Sequence, residues 1–188
     1  MKPFFPVMAV AAVIATQAWA APAPAWTVDK GASKVAFSSS FDGGAFSGSF
    51  RRWDAAIRFD PANLAGSTAV VTLDMTSAVT GDSGRDEALP LDDWFAAKRF
   101  PKATFTARSF KALGANRYQA VGDLTIRGVT KPLTLPFTLV ITGGVAKMNA
   151  SVGLNRLAFG VGQGEWKTTE VVPGTVTVNI SLTARRAG

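Results

Sequence analysis

An all-β domain, one antiparallel sheet folded into a sandwich or a closed barrel with a short helical interruption, is the fold this 188-residue sequence predicts. Three observations point there. Apolar residues recur at every second position through most of the chain, the period of a strand with one buried face. Turn-forming pairs punctuate the alternating segments. Finally, the chain contains no cysteine, so nothing staples the sheet covalently. Closure into a barrel protects edges that an unstapled sheet would otherwise expose, and the barrel is the favoured form.

The elements follow in order. Trp26–Asp29 opens the first strand, and Lys34–Ser40, Phe50–Asp60, Ser67–Met75 and Ala103–Phe110 continue the pattern. Tyr118, Ala120, Gly122, Leu124 and Ile126 share one face. Leu133, Leu135, Phe137, Leu139 and Ile141 repeat it, then Met148, Ala150, Val152 and Leu154, and last Val176, Val178, Ile180 and Leu182. This makes about eight strands, divided by Asp42-Gly43-Gly44, Asp60-Pro61, Ala65-Gly66, Gly143-Gly144 and Pro173-Gly174. The stretch Gly81–Phe100 breaks the alternation. Asp82 or Ser83 can cap a short helical turn, and Asp92 a second one carrying Trp94 and Phe95. Lys98 and Arg99 suit the C-terminal end of that turn, and Pro101 forbids its continuation. A helical insertion around 82–99 is therefore expected.

The N-terminus reads as an address. Lys2 precedes an apolar run, Phe4–Ala15, and Ala18-Trp19-Ala20 has the small-x-small form of a signal-peptidase site. The run is too short for a spanning helix, which takes about 20 residues. Residues 1–20 are thus expected to be a cleavable signal peptide, 21–25 a Pro/Ala-rich linker and 26–188 a single domain, exported to the periplasm.

Composition removes most enzyme classes. Cysteine and histidine are both absent. There is no thiol nucleophile, iron–sulfur cluster, imidazole base or histidine ligand for zinc, copper or haem. Gly81-Asp82-Ser83-Gly84 superficially resembles a serine-protease nucleophile segment, but no triad can form without histidine. The neighbours Asp86/Glu87 and Asp92/Asp93 are carboxylates for capping and solvation, because adjacent positions on a helical turn do not face each other. Gly160-Val161-Gly162-Gln163-Gly164 lacks the following helix and Lys-Ser/Thr of a phosphate cradle and reads as a tight turn beside Trp166. No catalytic residue, metal site or cofactor is assigned. The formal charge of +7 rests partly on the isolated pairs Arg51-Arg52, Lys98-Arg99 and Arg185-Arg186. These suit solvated surface or contact with a pyrophosphate or anionic membrane surface. A nucleic-acid partner is not expected, since no basic stripe is interleaved with aromatics.

An eight-stranded barrel has an interior that side chains can fill or that can hold one slender ligand. Inward parity places Val35, Phe37, Phe50, Trp53, Ile57, Phe59, Leu73, Phe105, Leu135 and Phe137 on its wall. The small inward residues Ala55, Ala69, Ala107, Ala120, Gly122 and Ala150 leave room between them. Trp94 and Phe95 of the insertion could gate or plug one end.

Several segments carry a resemblance. Trp26-Thr27-Val28-Asp29 with Ser33–Phe37, Ile57–Pro61, and Ser77–Asp82 with Arg85-Asp86 resemble the YceI-like, polyisoprenoid-binding family. The same holds for Asp93-Trp94-Phe95, Phe100–Phe105, Gly122–Pro132 and Phe159–Trp166. The last segment resembles a branch that accompanies membrane b-type cytochromes. The resemblance implies a lipocalin-like, closed eight-stranded antiparallel barrel and a non-catalytic periplasmic carrier. Its lumen would take an isoprenoid or similar long apolar lipid, such as a quinone or prenyl pyrophosphate. The alternative it implies is a structural module docking on a membrane b-type cytochrome or other membrane redox protein. Where many relatives carry a histidine between the first-strand Asp and Ser, this chain has Ala32.

Overall fold

The computed structural model describes residues 21–187; the expected signal peptide lies outside the described residues. Eleven strand segments form one antiparallel sheet: β1 Ala25–Val28, β2 Lys34–Phe41, β3 Gly44–Phe50, β4 Trp53–Arg58, β5 Thr68–Asp74, β6 Ala78–Val79, β7 Lys102–Gly114, β8 Arg117–Ile126, β9 Val129–Thr142, β10 Val145–Asn155 and β11 Thr175–Arg186. Among the described residues a single α-helix, α1 (Ser83–Ala88), lies between β6 and β7. The ladder runs β1-β4-β5-β7-β8-β9-β10-β11 and returns to β1, while β11 also pairs with β2, which leads on to β3 and β6. β1 and β2 therefore act as successive halves of one barrel strand, as do β3 and β4. Counted this way, the barrel has eight strands; β9 and β10 part beyond the Phe137–Ala150 pair, and β6 pairs with β3 alone.

Two polar corners make those halves. Between β1 and β2 the Asp29 carboxylate accepts from the N–H groups of Gly31 and Ala32 at 3.0 and 3.1 Å, an Asx turn that lifts the chain out of the ladder. The Ser33 hydroxyl bridges the gap, accepting from Thr183 N at 2.9 Å. The second corner corrects the sequence reading, in which Phe50–Asp60 was one strand. The chain breaks at Arg51-Arg52 because the buried Ser77 takes their N–H groups, Arg51 N on its carbonyl and Arg52 N on its hydroxyl, both at 3.0 Å. β3 can then turn towards β6 while β4 pairs with β1 and β5.

Residues 21–25, expected to be a linker, instead dock on the barrel. Ala23 is buried, its N–H reaches Gly66 O at 3.0 Å, and Pro24 O accepts from Phe59 N at 3.1 Å. The expected second helical turn after Asp92 is also absent. Asp82 caps α1 through Arg85 N at 2.9 Å, but residues 91–99 form irregular turns. Ala96 sits at φ 48°, which breaks a right-handed helix. The Asp93 carbonyl is committed to Gly162 N and Gln163 N, at 2.8 and 2.7 Å, so it cannot serve an i→i+4 bond.

Curvature has a local cause in β7. The pairing with β8 shifts register between Ala107 and Ser109, a bulge at Arg108, and Gly122 lies opposite it. A Cβ on Gly122 would sit 2.2 Å from Thr106 O and 2.8 Å from Ala107 Cα. Backbone cannot yield to that contact as a side chain can. Gly122→Ala is expected to cost about 3 kcal/mol, lowering Tm by about 6–12 °C for a domain of this size, as measured by thermal denaturation.

Candidate ligand-binding lumen

The inward faces of the strands enclose a cavity of about 230 Å³. For comparison, an apolar cavity of about 150 Å³ admits benzene. The wall is almost wholly aliphatic and aromatic, with Ser39, Thr104 and Arg156 as its polar members. Many inward side chains, including Trp53, Ile57, Leu73, Phe105, Leu133, Leu154, Val176 and Ile180, are only partly buried although they point inward. Their remaining surface faces the void.

Nine of the ten wall residues expected from parity line this cavity: Val35, Phe37, Phe50, Trp53, Ile57, Leu73, Phe105, Leu135 and Phe137. Phe59 does not. β4 ends at Arg58, and Phe59 is drawn beneath the cavity, where its carbonyl accepts from Trp26 Nε1 at 2.9 Å. There it meets Phe110, Tyr118 and Phe137 edge-on, with ring centroids 5.3, 5.5 and 6.0 Å away. Such edge-to-face arrangements are favoured by the ring quadrupoles. This aromatic plug makes the lumen blind at that end.

The other end is covered by segments 81–100 and 156–174. Trp94 and Phe95 both reach the cavity. Phe95 lies 6.2 Å from Phe50 and Trp94 5.4 Å from Trp166, which in turn stands 6.2 Å from Phe41. Beneath Trp94 sits Arg156, 4% exposed. Its guanidinium donates to four backbone carbonyls: Pro173 (Nε, 3.0 Å), Val161 (Nη1, 3.0 Å), Thr168 and Val172 (Nη2, 3.0 and 2.8 Å). It forms none of the ion pairs among the described residues. Desolvation pushes its pKa down from the ordinary value, yet an arginine stays charged at neutral pH. A Cβ on Gly162 would fall 1.8 Å from Nη1, so the Gly-rich segment 160–164 is the space in which this guanidinium lies.

Sequence reasoning missed two kinds of wall residue. Phe110 lines the cavity because the Arg108 bulge moves it from the outward to the inward phase. Arg156, Phe159, Val161 and Val172 come from an irregular loop with no period to read. Ser39 Oγ is enclosed with no hydrogen-bond partner among the described residues.

Carboxylates hold the insertion and the strand corner before it. Asp86 accepts from Thr80 N and Thr80 Oγ1 at 2.6 and 2.7 Å, and Asp74 from Thr76 and Arg52. The bond from the Thr80 hydroxyl holds Asp86 below its ordinary pKa, and those from Thr76 and then Arg52 do the same for Asp74. A carboxylate with a depressed folded-state pKa contributes stability that is present above its unfolded value, about 3.9, and is lost as pH falls through the folded value. The urea midpoint of the native chain is expected to fall between pH 5 and pH 3. Asp74→Asn/Asp86→Asn should start lower at pH 7 and fall less over the same range.

These features define a class: a closed, eight-stranded, lipocalin-like barrel with a blind apolar interior. Residues 26–184 match the model of a family described as YceI-like domain, and the chain belongs to that family. It is 38% identical over 96 residues to Protein YceI of Escherichia coli O157:H7, covering 51% of this chain and 50% of that one; the matched segment thus spans about half the length of this curated relative. Its fold is similar to the crystal structure of BcnA from Burkholderia cenocepacia, with a TM-score of 0.80 and 35% identity over 83% of this chain and 98% of the other. It also resembles a polyisoprenoid binding domain from Saccharophagus degradans implicated in plant cell wall breakdown. There the TM-score is 0.65 at 15% identity, covering 87% and 99% of the two chains, a likeness of fold alone.

Proposed function

We propose that this chain is a non-catalytic binding protein that holds the apolar tail of an isoprenoid or similar amphiphile in its lumen. The observation that carries the reading is the cavity, walled by apolar side chains from eight strands and blind at the Phe59 end. Burial of a tail there is worth about 25 cal/mol per Å² of apolar surface and makes no directional demand on the wall. Ser39 favours an amphiphile over a pure hydrocarbon, since its hydroxyl stands on the wall without a hydrogen-bond partner among the described residues. The description of the Saccharophagus degradans domain as polyisoprenoid binding supports the same class of occupant. A quinone and a prenyl pyrophosphate both have the required form. Trp94 and Phe95 stand at the covered end, where they would gate entry. Export to the periplasm is part of the proposal and rests on the sequence of Met1–Ala20.

The test is organic-solvent extraction of the purified protein with mass spectrometry of the extract, followed by uptake of added prenyl alcohols, read by displacement of an apolar fluorophore. A co-purifying lipid or saturable uptake is expected. Repeated absence of both would overturn the carrier reading in favour of a docking module on a membrane redox protein.

A further inference from the structure

Acidic residues are distributed unevenly over this barrel. No Asp or Glu occurs between Asp123 and Glu165 or after Glu170, and β2 and β3 contain none. The adjoining strands β9, β10, β11 and β2 therefore present no Asp or Glu on their outer face. The ion pairs of the described residues all use Asp54, Asp74, Asp82, Asp92 or Asp123, which lie elsewhere. Lys34, Arg117, Lys147 and Arg185 on or beside the acid-free face are exposed.

The register aligns some of these charges. Arg117 pairs across to Thr138, Thr138 to Asn149, Asn149 to Ser181, and Ser181 to Lys34. This is one lateral row over five strands, with a cation at each end and hydroxyls and an amide between. Four strand spacings make it about 19 Å long. Lys147 lies two positions from Asn149, on the same face. The row crosses a shallow, open groove of about 640 Å³ whose lining is mostly apolar, with Leu113, Tyr118, Pro136, Phe137 and Ile180 beside the polar row and both Arg117 and Lys34 contributing to it.

We infer that this groove is a docking site for an extended acidic segment of a partner protein, lying across the strands with carboxylates at the two cationic ends. An extended chain advances about 3.3 Å per residue, so about six residues span the row. The amide and hydroxyls of the row can pair with peptide groups. The inference is independent of what fills the lumen.

The experiment uses a fluorescein-labelled peptide with two Glu pairs separated by four serines, read by anisotropy at low and at moderate salt. The native chain should bind it, more weakly as salt rises. Lys34→Glu/Arg117→Glu/Lys147→Glu should weaken binding by roughly tenfold or more, since like charges then oppose the ligand. Lys98→Glu/Lys102→Glu/Lys167→Glu, an equal charge change at the covered end, should alter it by about twofold or less. If the charge reversal perturbs the circular dichroism spectrum, the triple alanine variant at Lys34, Arg117 and Lys147 replaces it, with the same loss expected. Equal weakening by both triple variants, or no binding by the native chain, would overturn the inference. So would capture by phosphatidylglycerol vesicles through the same three residues without peptide binding, which would make the surface one for lipid.

Discussion

Arg156→Met is expected to destabilise the protein by about 4 kcal/mol and to open residues 160–174 to proteolysis. The native guanidinium holds the carbonyls of Val161, Thr168, Val172 and Pro173 at 2.8–3.0 Å, which draws the two ends of the β10–β11 connection together over the lumen. Hydrogen bonds to a charged group are each worth about 1.5–3 kcal/mol. The sum is discounted because carbonyls of a surface loop recover water when released. Methionine fills similar volume but donates nothing. Urea denaturation would give the stability change, and limited trypsin digestion should show a new early cut after the exposed Lys167. Arg156→Lys keeps the charge and has three donors on one nitrogen, so an intermediate loss is expected. A methionine variant of native stability and native protease pattern would show that the loop is held by other contacts, such as those of Asp93 with Gly162 and Gln163.

Phe105→Asp should abolish uptake of apolar ligands while leaving a folded barrel. Phe105 faces the cavity from the middle of β7, partly buried, so a shorter side chain there enlarges a void that already exists. The carboxylate, in contrast, must keep its water or be desolvated by the incoming tail. The cost of that desolvation, about 4 kcal/mol after relaxation, corresponds to about a thousandfold loss of affinity at 1.4 kcal/mol per factor of ten. Because burial favours the neutral acid, the lost binding should return progressively as pH falls from 7 towards the ordinary Asp value of about 3.9, whereas Phe105→Leu should bind nearly as the native chain does. Titration with an apolar fluorophore at two pH values checks both statements. Unchanged uptake by a folded Phe105→Asp chain would remove Phe105 from the binding wall.

Where the chain alternates without interruption, the lumen was legible from the sequence. Val35 and Phe37, Leu135 and Phe137, and Leu73 fall on the cavity wall because a strand's pleat permits only two faces and the apolar set marks one. The exceptions are the places where the chain leaves that period. Phe59 lies one residue beyond the end of β4, and its parity no longer describes a position in the sheet. Phe110 changed phase at the Arg108 bulge, which makes no hydrophobic signal of its own; Gly122 on the facing strand was the available hint, as the residue that lets the two backbones approach. The second helical turn failed because Asp92 and Asp93 spend their carbonyls on partners far along the chain, Arg127 at 2.7 Å for Asp92 and Gly162 and Gln163 for Asp93.

What the sequence determined by itself was the class of the fold and the chemistry of its interior: period-two alternation, apolar inward sets, and no histidine or cysteine to supply imidazole or thiol chemistry. Only the tertiary structure decided that the sleeve is blind at the Phe59 plug, that a buried arginine fastens the loop over its other end, and that Arg117 and Lys34 terminate one row across five strands. Each of these depends on register between segments distant in sequence. Register is set by how bulges, corners and closure distribute the strands around the barrel, and no single segment's pattern contains it.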